Sequence, residues 1–275
     1  RDLILGRQPK DWDVTTNANP EQIQGLFPKT FYENDYGTVG VVNEEISRET
    51  ESGNISCLPD RQARETLRVV EVTPYRIESK YSDFRHPDKV SFSQKLEDDL
   101  KRRDFTMNAI AYDDSKGHLI DLFKGQEDIK DKTIRTVGDS DERFTEDALR
   151  MIRAVRFASE LDFVVSGETS TAIQKNAGLL EEISKERVKD EFSKIIMSPN
   201  PMVGIIMCNK LGILKYIVPE LEEGIGVKQN SDHIYEVWEH ILRALNHASD
   251  RKWPLEVRLA ALFHDIGKPR TKGWN

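Results

Sequence analysis

Partway along this 275-residue chain the apolar residues change their period, and no other feature limits its fold as strongly. The first part carries short β-branched runs among turn residues: Thr38 to Val42 reads TVGVV and Leu67 to Thr73 reads LRVVEVT. Such runs favour strands. Gly117 to Leu122 follows a DDSKG turn that can close a hairpin. From about Thr145 the spacing becomes helical. Ala148, Met151, Ile152, Val155 and Ala158 fall at i, i+3, i+4, i+7 and i+10, one apolar stripe on one helix. Thr145 is expected to cap it, with Glu146 and Asp147 in a first turn whose dipole favours negative charge. Further helices are expected over 185–197, 201–211, 233–247 and 255–263. Residues 43–66 are polar and nearly free of aliphatics, the composition of a mobile surface loop. Strands first and helices after make an α+β chain.

Composition closes off several classes. Hydrophobic residues are 37% and no apolar run approaches the roughly 20 residues of a membrane span. Forty basic against 48 acidic side chains leave a net charge of −8, which excludes a non-specific coat on nucleic acid and confines any such contact to local patches. Cys57 and Cys208 lack metal-ligand spacing and suggest neither a disulfide framework nor a zinc site, so a reducing, cytoplasmic setting is the expectation. The chain opens at Arg1 without a methionine and closes at Asn275 just after a motif, and it reads as a piece of a longer protein.

Four strings carry chemistry. Asp11-Trp12-Asp13 sets two aspartates two apart, before Val14-Thr15-Thr16. In extended chain that spacing turns both carboxylates to one face. They repel, and a hard cation such as Mg²⁺ held against a substrate phosphate relieves them; a solvated turn would show the same letters. Arg102 to Ala109 (RRDFTMNA) puts guanidiniums beside a carboxylate, a hydroxyl and an amide. Arginines fork onto phosphate oxygens while Asp104 and Asn108 suit ribose hydroxyls, although a helix end with surface ion pairs would look alike. In EDALR, Asp147 and Arg150 would be neighbours on one helix face, as a salt bridge or as a base reader. A carboxylate accepts from an exocyclic amine and a guanidinium donates to the adjacent ring nitrogen, an order that cytosine and adenine share and uracil and guanine reverse. Finally His264-Asp265, with His240 upstream, offers imidazole and carboxylate to a metal, where packed or surface histidines would also fit. Glu71, on the LRVVEVT strand, is left unassigned as a third carboxylate beside the aspartate pair.

Together these strings resemble the class II tRNA nucleotidyltransferase and bacterial poly(A) polymerase family. RDLILGRQPKDWD is similar to its first motif, whose Gly-Gly would precede Arg1. RRDFTMNA is similar to its most specific motif, EDALR to the one credited with base choice, and Asp121 to Ile129 to its linker, where Asp121 is expected to be structural or hinge-forming. Arg153 to Ala158 continues its neck helix, and Lys185 to Glu191 resembles a helical motif whose basic residues support the RNA acceptor end. AALFHDIGKP resembles the opening of an HD metal-dependent phosphohydrolase module.

The resemblance implies a nucleotidyltransferase head with a palm-like mixed sheet over 1–125, an all-helical neck and body over 126–225, and the start of an HD domain over 226–275. It implies addition of C and A to the tRNA 3′ end from CTP and ATP, with release of pyrophosphate. The metal, Mg²⁺, falls on Asp11 and Asp13, and the nucleotide on Arg1, Arg103, Asp104, Asn108, Asp147, Arg150, Arg153 and Arg156. A second metal site falls on His240, His264 and Asp265. A poly(A) polymerase, an A-adding enzyme and an HD-type phosphohydrolase stay open as alternatives.

Overall fold

The computed structural model describes residues 1–9, 12–32, 37–46, 65–79, 89–229 and 234–271. It opens with β1 (Val14–Thr16), α1 (Pro20–Leu26), β2 (Thr30–Tyr32), β3 (Val39–Ile46) and β4 (Glu65–Pro74). These strands form a mixed sheet in the order β1-β4-β3-β2, with β1 parallel to β4 and the other pairs antiparallel. Helix α1 starts where Asn19 and Gln22 close a reciprocal capping box and Pro20 takes the first turn. Ile23 of α1 then packs with Val39, Val41 and Val72 on one face of the sheet. Because strand residues alternate, Phe31, Gly40 and Glu71, which are paired across β2, β3 and β4, belong to the opposite face.

Next come the ribbon of β5 (Arg76–Ser79) and β6 (Lys89–Phe92), then α2 (Leu96–Lys101). The hairpin anticipated from DDSKG is present as β7 (Ile110–Asp113) and β8 (His118–Asp121). Helix α3 (Gly125–Lys130) leads to β9 (Thr133–Ile134), α4 (Ser140–Glu146), α5 (Leu149–Leu161) and β10 (Val164–Val165), which lies parallel to β9. The rest is helical: α6 (Gly167–Asn176), α7 (Lys185–Met197), α8 (Pro201–Lys210), α9 (Leu214–Ile217), α10 (Val237–Asp250), α11 (Leu255–Phe263) and α12 (Lys268–Thr271). One buried apolar cluster runs from Phe105 and Met107 through α5, α7 and α8 to Leu262, whereas the sheet's own cluster holds four buried residues. No helix among the described residues is long and apolar enough to cross a membrane.

Two expectations are corrected. Residues 43–46 and 65–66 are not loop: the β3–β4 ladder continues through Asn43↔Arg68 to Ile46↔Glu65, since backbone pairing does not require apolar side chains. Residues 47–64 of the expected loop lie outside the described residues. Thr145 does not cap α5 either. It lies inside α4, where its hydroxyl donates to the carbonyls of Asp141 (3.0 Å) and Glu142 (2.9 Å). The break comes two residues later at Asp147, whose extended backbone (φ −144°, ψ 103°) ends α4. Its Oδ1 then accepts the Leu149 N–H at 3.1 Å, so a side chain satisfies a donor that the helix end would otherwise leave open. Glu146 and Asp147 therefore precede the first turn of α5 instead of occupying it. Of the expected helices, 185–197 and 255–263 are present with those limits, α8 stops at Lys210, and α10 starts at Val237; His233 lies outside the described residues.

Candidate active site

Asp13 sits in extended chain immediately before β1 and is exposed; Asp11 lies outside the described residues. The parallel register pairs Val14 with Val72, so the residues one position earlier, Asp13 and Glu71, are neighbours on adjacent strands. Val72 is buried and Glu71 exposed, which puts the Asp13–Glu71 pair on the open face of the sheet. Thr73 continues this row: its carbonyl accepts from the Thr15 hydroxyl at 3.0 Å, and its own hydroxyl lies 3.3 Å from that of Thr38. Two adjacent solvent-facing carboxylates with hydroxyl neighbours are hard oxygen donors of the kind a divalent cation takes.

The RRDFTMNA string builds a second cluster. Its Phe105 and Met107 are fully buried, and Thr106 to Asn108 make one 3₁₀ turn. The following segment braces that turn. Asp121 accepts from the N–H groups of Gly125 and Gln126, both at 2.8 Å, and so satisfies two donors at the start of α3. Gly125 lies so close to the turn that a Cβ there would stand 2.2 Å from the Thr106 carbonyl oxygen. Asp128, buried, accepts from the Thr106 hydroxyl at 2.7 Å.

Held in this way, Asp104 becomes a hub between the head and α5. Its Oδ2 accepts from Arg153 Nε (2.9 Å) and Nη2 (2.5 Å), and its Oδ1 from the Phe105 N–H (2.8 Å) and Asn108 Nδ2 (3.1 Å). Burial alone would push this carboxyl up, but Arg153 and these hydrogen bonds hold it below the ordinary carboxylate value. Asn108 Oδ1 accepts from Arg1 Nη1 at 3.2 Å, and Arg103 Nη1 donates to the Asn108 carbonyl at 3.2 Å. Arg102 and Arg103 both reach the buried Asp99 of α2, and Arg102 also pairs with Glu78 of β5 at 3.3 Å, tying the strand that follows β4 to this motif. On α5, the ring of Phe157 lies under three guanidiniums, those of Arg1, Arg153 and Arg156, at 5.1, 5.5 and 4.2 Å from its centroid. Burial lowers the pKa of Arg156, with Glu191 of α7 opposing from 3.0 Å. Arg1, Arg103, Asp104, Asn108, Arg153 and Arg156 are thus brought to one place. Guanidiniums carry five donors each, more than one carboxylate partner takes up, which suits phosphate oxygens.

Asp147 and Arg150 join this cluster but do not pair with each other. Arg150 binds Glu146 at 2.7 Å and donates to the carbonyls of Arg143 (3.3 Å) and Arg102 (3.2 Å). Asp147 Oδ2 accepts from Arg187 of α7 at 2.9 Å. The expected adjacency on one helix face is corrected, because the chain breaks between α4 and α5 at Asp147. Arg187 and Glu191, in a segment expected to offer its basic residues to RNA, instead brace the neck helix; Lys185 and Lys189 remain exposed. Glu146, Phe157, Arg187 and Glu191 are missed by motif reading. For Phe157 the signal is spacing, since it falls four residues after Arg153 on α5; Glu146 lies in α4, before the break.

A separate constellation lies near the C-terminal end. His240 of α10, His264 and Asp265 bring one ligand atom each within 4.8 Å of one another. His240 Nε2 is 3.0 Å from His264 Nε2 and 3.3 Å from Asp265 Oδ2, and His264 Nε2 is 3.2 Å from the same oxygen. His264 Nδ1 lies 2.9 Å from the Ala261 carbonyl, which can accept its proton and leave Nε2 as a lone pair facing the cluster. Lys268 Nζ contacts both Asp265 (2.7 Å) and Gln229 (2.7 Å). Burial would raise the Asp265 carboxyl, but Lys268 and the two imidazoles hold it below its ordinary value. The buried Arg258 positions α11, donating to the carbonyls of Ile196 (3.0 Å), Ser198 (3.0 Å) and Trp253 (2.9 Å).

Comparison with known proteins agrees with this anatomy. The "Poly A polymerase head domain" family matches residues 1–135, and the "Probable RNA and SrmB- binding site of polymerase A" family matches 162–225. The CCA-adding enzyme of Lactococcus lactis is 37% identical over 281 residues, covering 97% of this chain and 65% of that protein. The crystal structure of the Bacillus stearothermophilus CCA-adding enzyme in complex with CTP is matched over 100% of this chain and 66% of that one, at 34% identity and a TM-score of 0.66. A tRNA nucleotidyltransferase complexed with a primer tRNA and an incoming ATP analog shares the fold at 22% identity, over 96% of this chain and 69% of that one, with a TM-score of 0.66. The chain spans between 45% and 65% of the length of the curated relatives it matches. With both modules present in order, and the motif residues assembled around α5, residues 1–135 belong to the poly A polymerase head-domain family and residues 162–225 to the family of that polymerase's RNA-binding segment.

Proposed function

We propose that this chain is the catalytic and RNA-gripping part of a template-independent tRNA nucleotidyltransferase that adds C and A residues to the tRNA 3′ end from CTP and ATP, releasing pyrophosphate. The observation that carries this reading is the convergence of Arg1, Asp104, Asn108 and Arg153 at the start of α5, beside Arg150 and Asp147. The relatives named for CCA addition and the structure solved with CTP support the choice of substrate. We divide the chain into a catalytic head (1–125), a neck and body for nucleotide choice and RNA (126–225), and the start of an HD module (226–275). A cytoplasmic enzyme fits this substrate.

Members of such families generally work with a divalent cation, and here we assign Mg²⁺ to Asp11 and Asp13, with Glu71 as a third carboxylate. When bound, the ion lowers the pKa of the RNA 3′-hydroxyl and offsets charge building on the α-phosphate. Asp13 and Glu71, neighbours on the open face of the sheet, would hold it there. Arg1, Arg153 and Arg156 hold the triphosphate, and Arg103, Asp104 and Asn108 orient the ribose. Asp147 accepts from the amine of cytosine or adenine while Arg150 donates to the ring nitrogen. Because Arg187 and Glu146 already hold these two side chains, they do not neutralise each other, and a base that reverses the donor order leaves buried groups unpaired.

The test is to supply the full-length protein and Mg²⁺ with tRNA lacking its last three nucleotides and each nucleoside triphosphate, singly and together. Ordered C, C, A incorporation is expected. Long A tracts would overturn CCA addition in favour of poly(A) polymerase. Asp147→Ala is expected to blur base choice more than it slows transfer of the preferred nucleotide, and equal loss with all four nucleotides would refute the base reader.

A second activity rests on His240, His264 and Asp265. Two imidazoles and a carboxylate within 4.8 Å suit a transition-metal ion of an HD-type phosphohydrolase. Phosphate release from phosphoesters that survives Asp13→Asn but not Asp265→Asn would establish it.

A further inference from the structure

The open face of the sheet holds, besides its carboxylates, an aromatic surface that the mechanism above does not use. Phe31 lies on β2 opposite Gly40 of β3, and Gly40 in turn lies opposite Glu71 of β4. A Cβ built on Gly40 would stand 2.5 Å from Phe31 Cζ and 2.8 Å from both Cε atoms. Equal short distances to the two Cε atoms, only slightly longer than that to Cζ, place the missing methyl over the face of the ring and not off its edge. The ring therefore lies flat across β3, one face against the glycine backbone. Gly40 is buried beneath it while Phe31 keeps 41% of its surface exposed. Strands stand about 4.8 Å apart, so ring, Glu71 and Asp13 follow one another on a single surface within about 10 Å.

We propose that Phe31 is a stacking platform for the 3′-terminal nucleobase of the RNA being extended. This rests on the assignment of Asp13 and Glu71 to the metal that activates the RNA 3′-hydroxyl. The incoming base is assigned to Asp147 and Arg150 at the α4–α5 junction, off the sheet, so the base next to the sheet carboxylates is that of the acceptor. An enzyme without a template that extends a chain one nucleotide at a time meets a different terminal base at each step. Hydrogen-bond readers would reject some of them, whereas a π-face accepts every base. Gly40 is the residue that permits this, since any side chain there would lift the ring off the sheet.

The experiment uses the full-length protein with tRNAs ending one nucleotide before the CCA tail and after its first C. Phe31→Ala is expected to raise the KM for RNA about tenfold, for purine and pyrimidine ends alike, with the KM for CTP within about twofold of wild type. Phe31→Leu keeps an apolar cover over Gly40, so thermal stability should hold while RNA binding weakens; Phe31→Trp should retain it. A 2-aminopurine at the RNA 3′ end should be quenched on binding wild type and not on binding Phe31→Leu. Wild-type KM and quenching in a stable Phe31→Leu, or a loss confined to CTP, would overturn the platform. If wild type failed to extend RNA at all, the proposed function would fall, and the 2-aminopurine signal would still decide the role of Phe31.

Discussion

Asp104 shows how one residue joins structure to chemistry. Its carboxylate takes four hydrogen bonds, two of them from Arg153. Replacing it with asparagine takes the direct counter-charge from a half-buried guanidinium and should cost about 1–2 kcal/mol of stability at neutral pH. The pH dependence has a definite sign. A carboxyl whose folded pKa lies below its unfolded value of about 3.9 contributes fully above that value and loses its contribution as pH falls through the folded pKa. Wild type and Asp104→Asn should therefore differ by a constant amount in denaturant unfolding above pH 5 and converge in acid; a constant gap down to pH 2 would contradict the ion pair. Cys208 behaves oppositely: burial pushes its thiol up to about 12, so it stays protonated at neutral pH. Alkylating agents should leave it unmodified in the folded protein and reach it once denaturant is added, as peptide mass would report.

At the scale of elements, the α4–α5 junction decides whether the neck can read a base. Asp147 holds the Leu149 N–H with one oxygen and Arg187 with the other. A double-mutant cycle of Asp147→Ala and Arg187→Ala should show coupling of about 0.5–1.5 kcal/mol, and Arg187→Ala alone should weaken discrimination between CTP and UTP more than it weakens CTP binding. This junction was also where the sequence misled. TEDALR continues the apolar stripe of α5 without interruption, and nothing in its composition shows that an aspartate side chain will divert the backbone. Helices α7 and α11 were legible to their end residues, because Ser184 and Ser198 flank one, and Pro254 opens the other, with no competing local bond. Chemistry at the motif strings could be read because residue types and order carry it. Their partner Glu191 could not, because only the packing of α7 against α5 brings it to Arg156.

For the whole molecule, the distribution of core matters most. The cluster that begins at Phe105 and Met107 extends through the helices, so the nucleotide motif is anchored in the body while the sheet with the carboxylates rests on Ile23, Val39, Val41 and Val72. Hydrogen exchange should accordingly be faster in β1–β4 than in α5 and α7, and Val39→Ala should open the sheet without melting the helices. The central claim is that carboxylates on the sheet and guanidiniums on α5 serve one transfer reaction. Its most direct test is single-nucleotide extension of tRNA by Glu71→Gln and Asp13→Asn, with CTP binding measured in the same samples. The account predicts a loss of at least about a thousandfold in extension with CTP affinity little changed. Extension within about tenfold of wild type in both variants would contradict it.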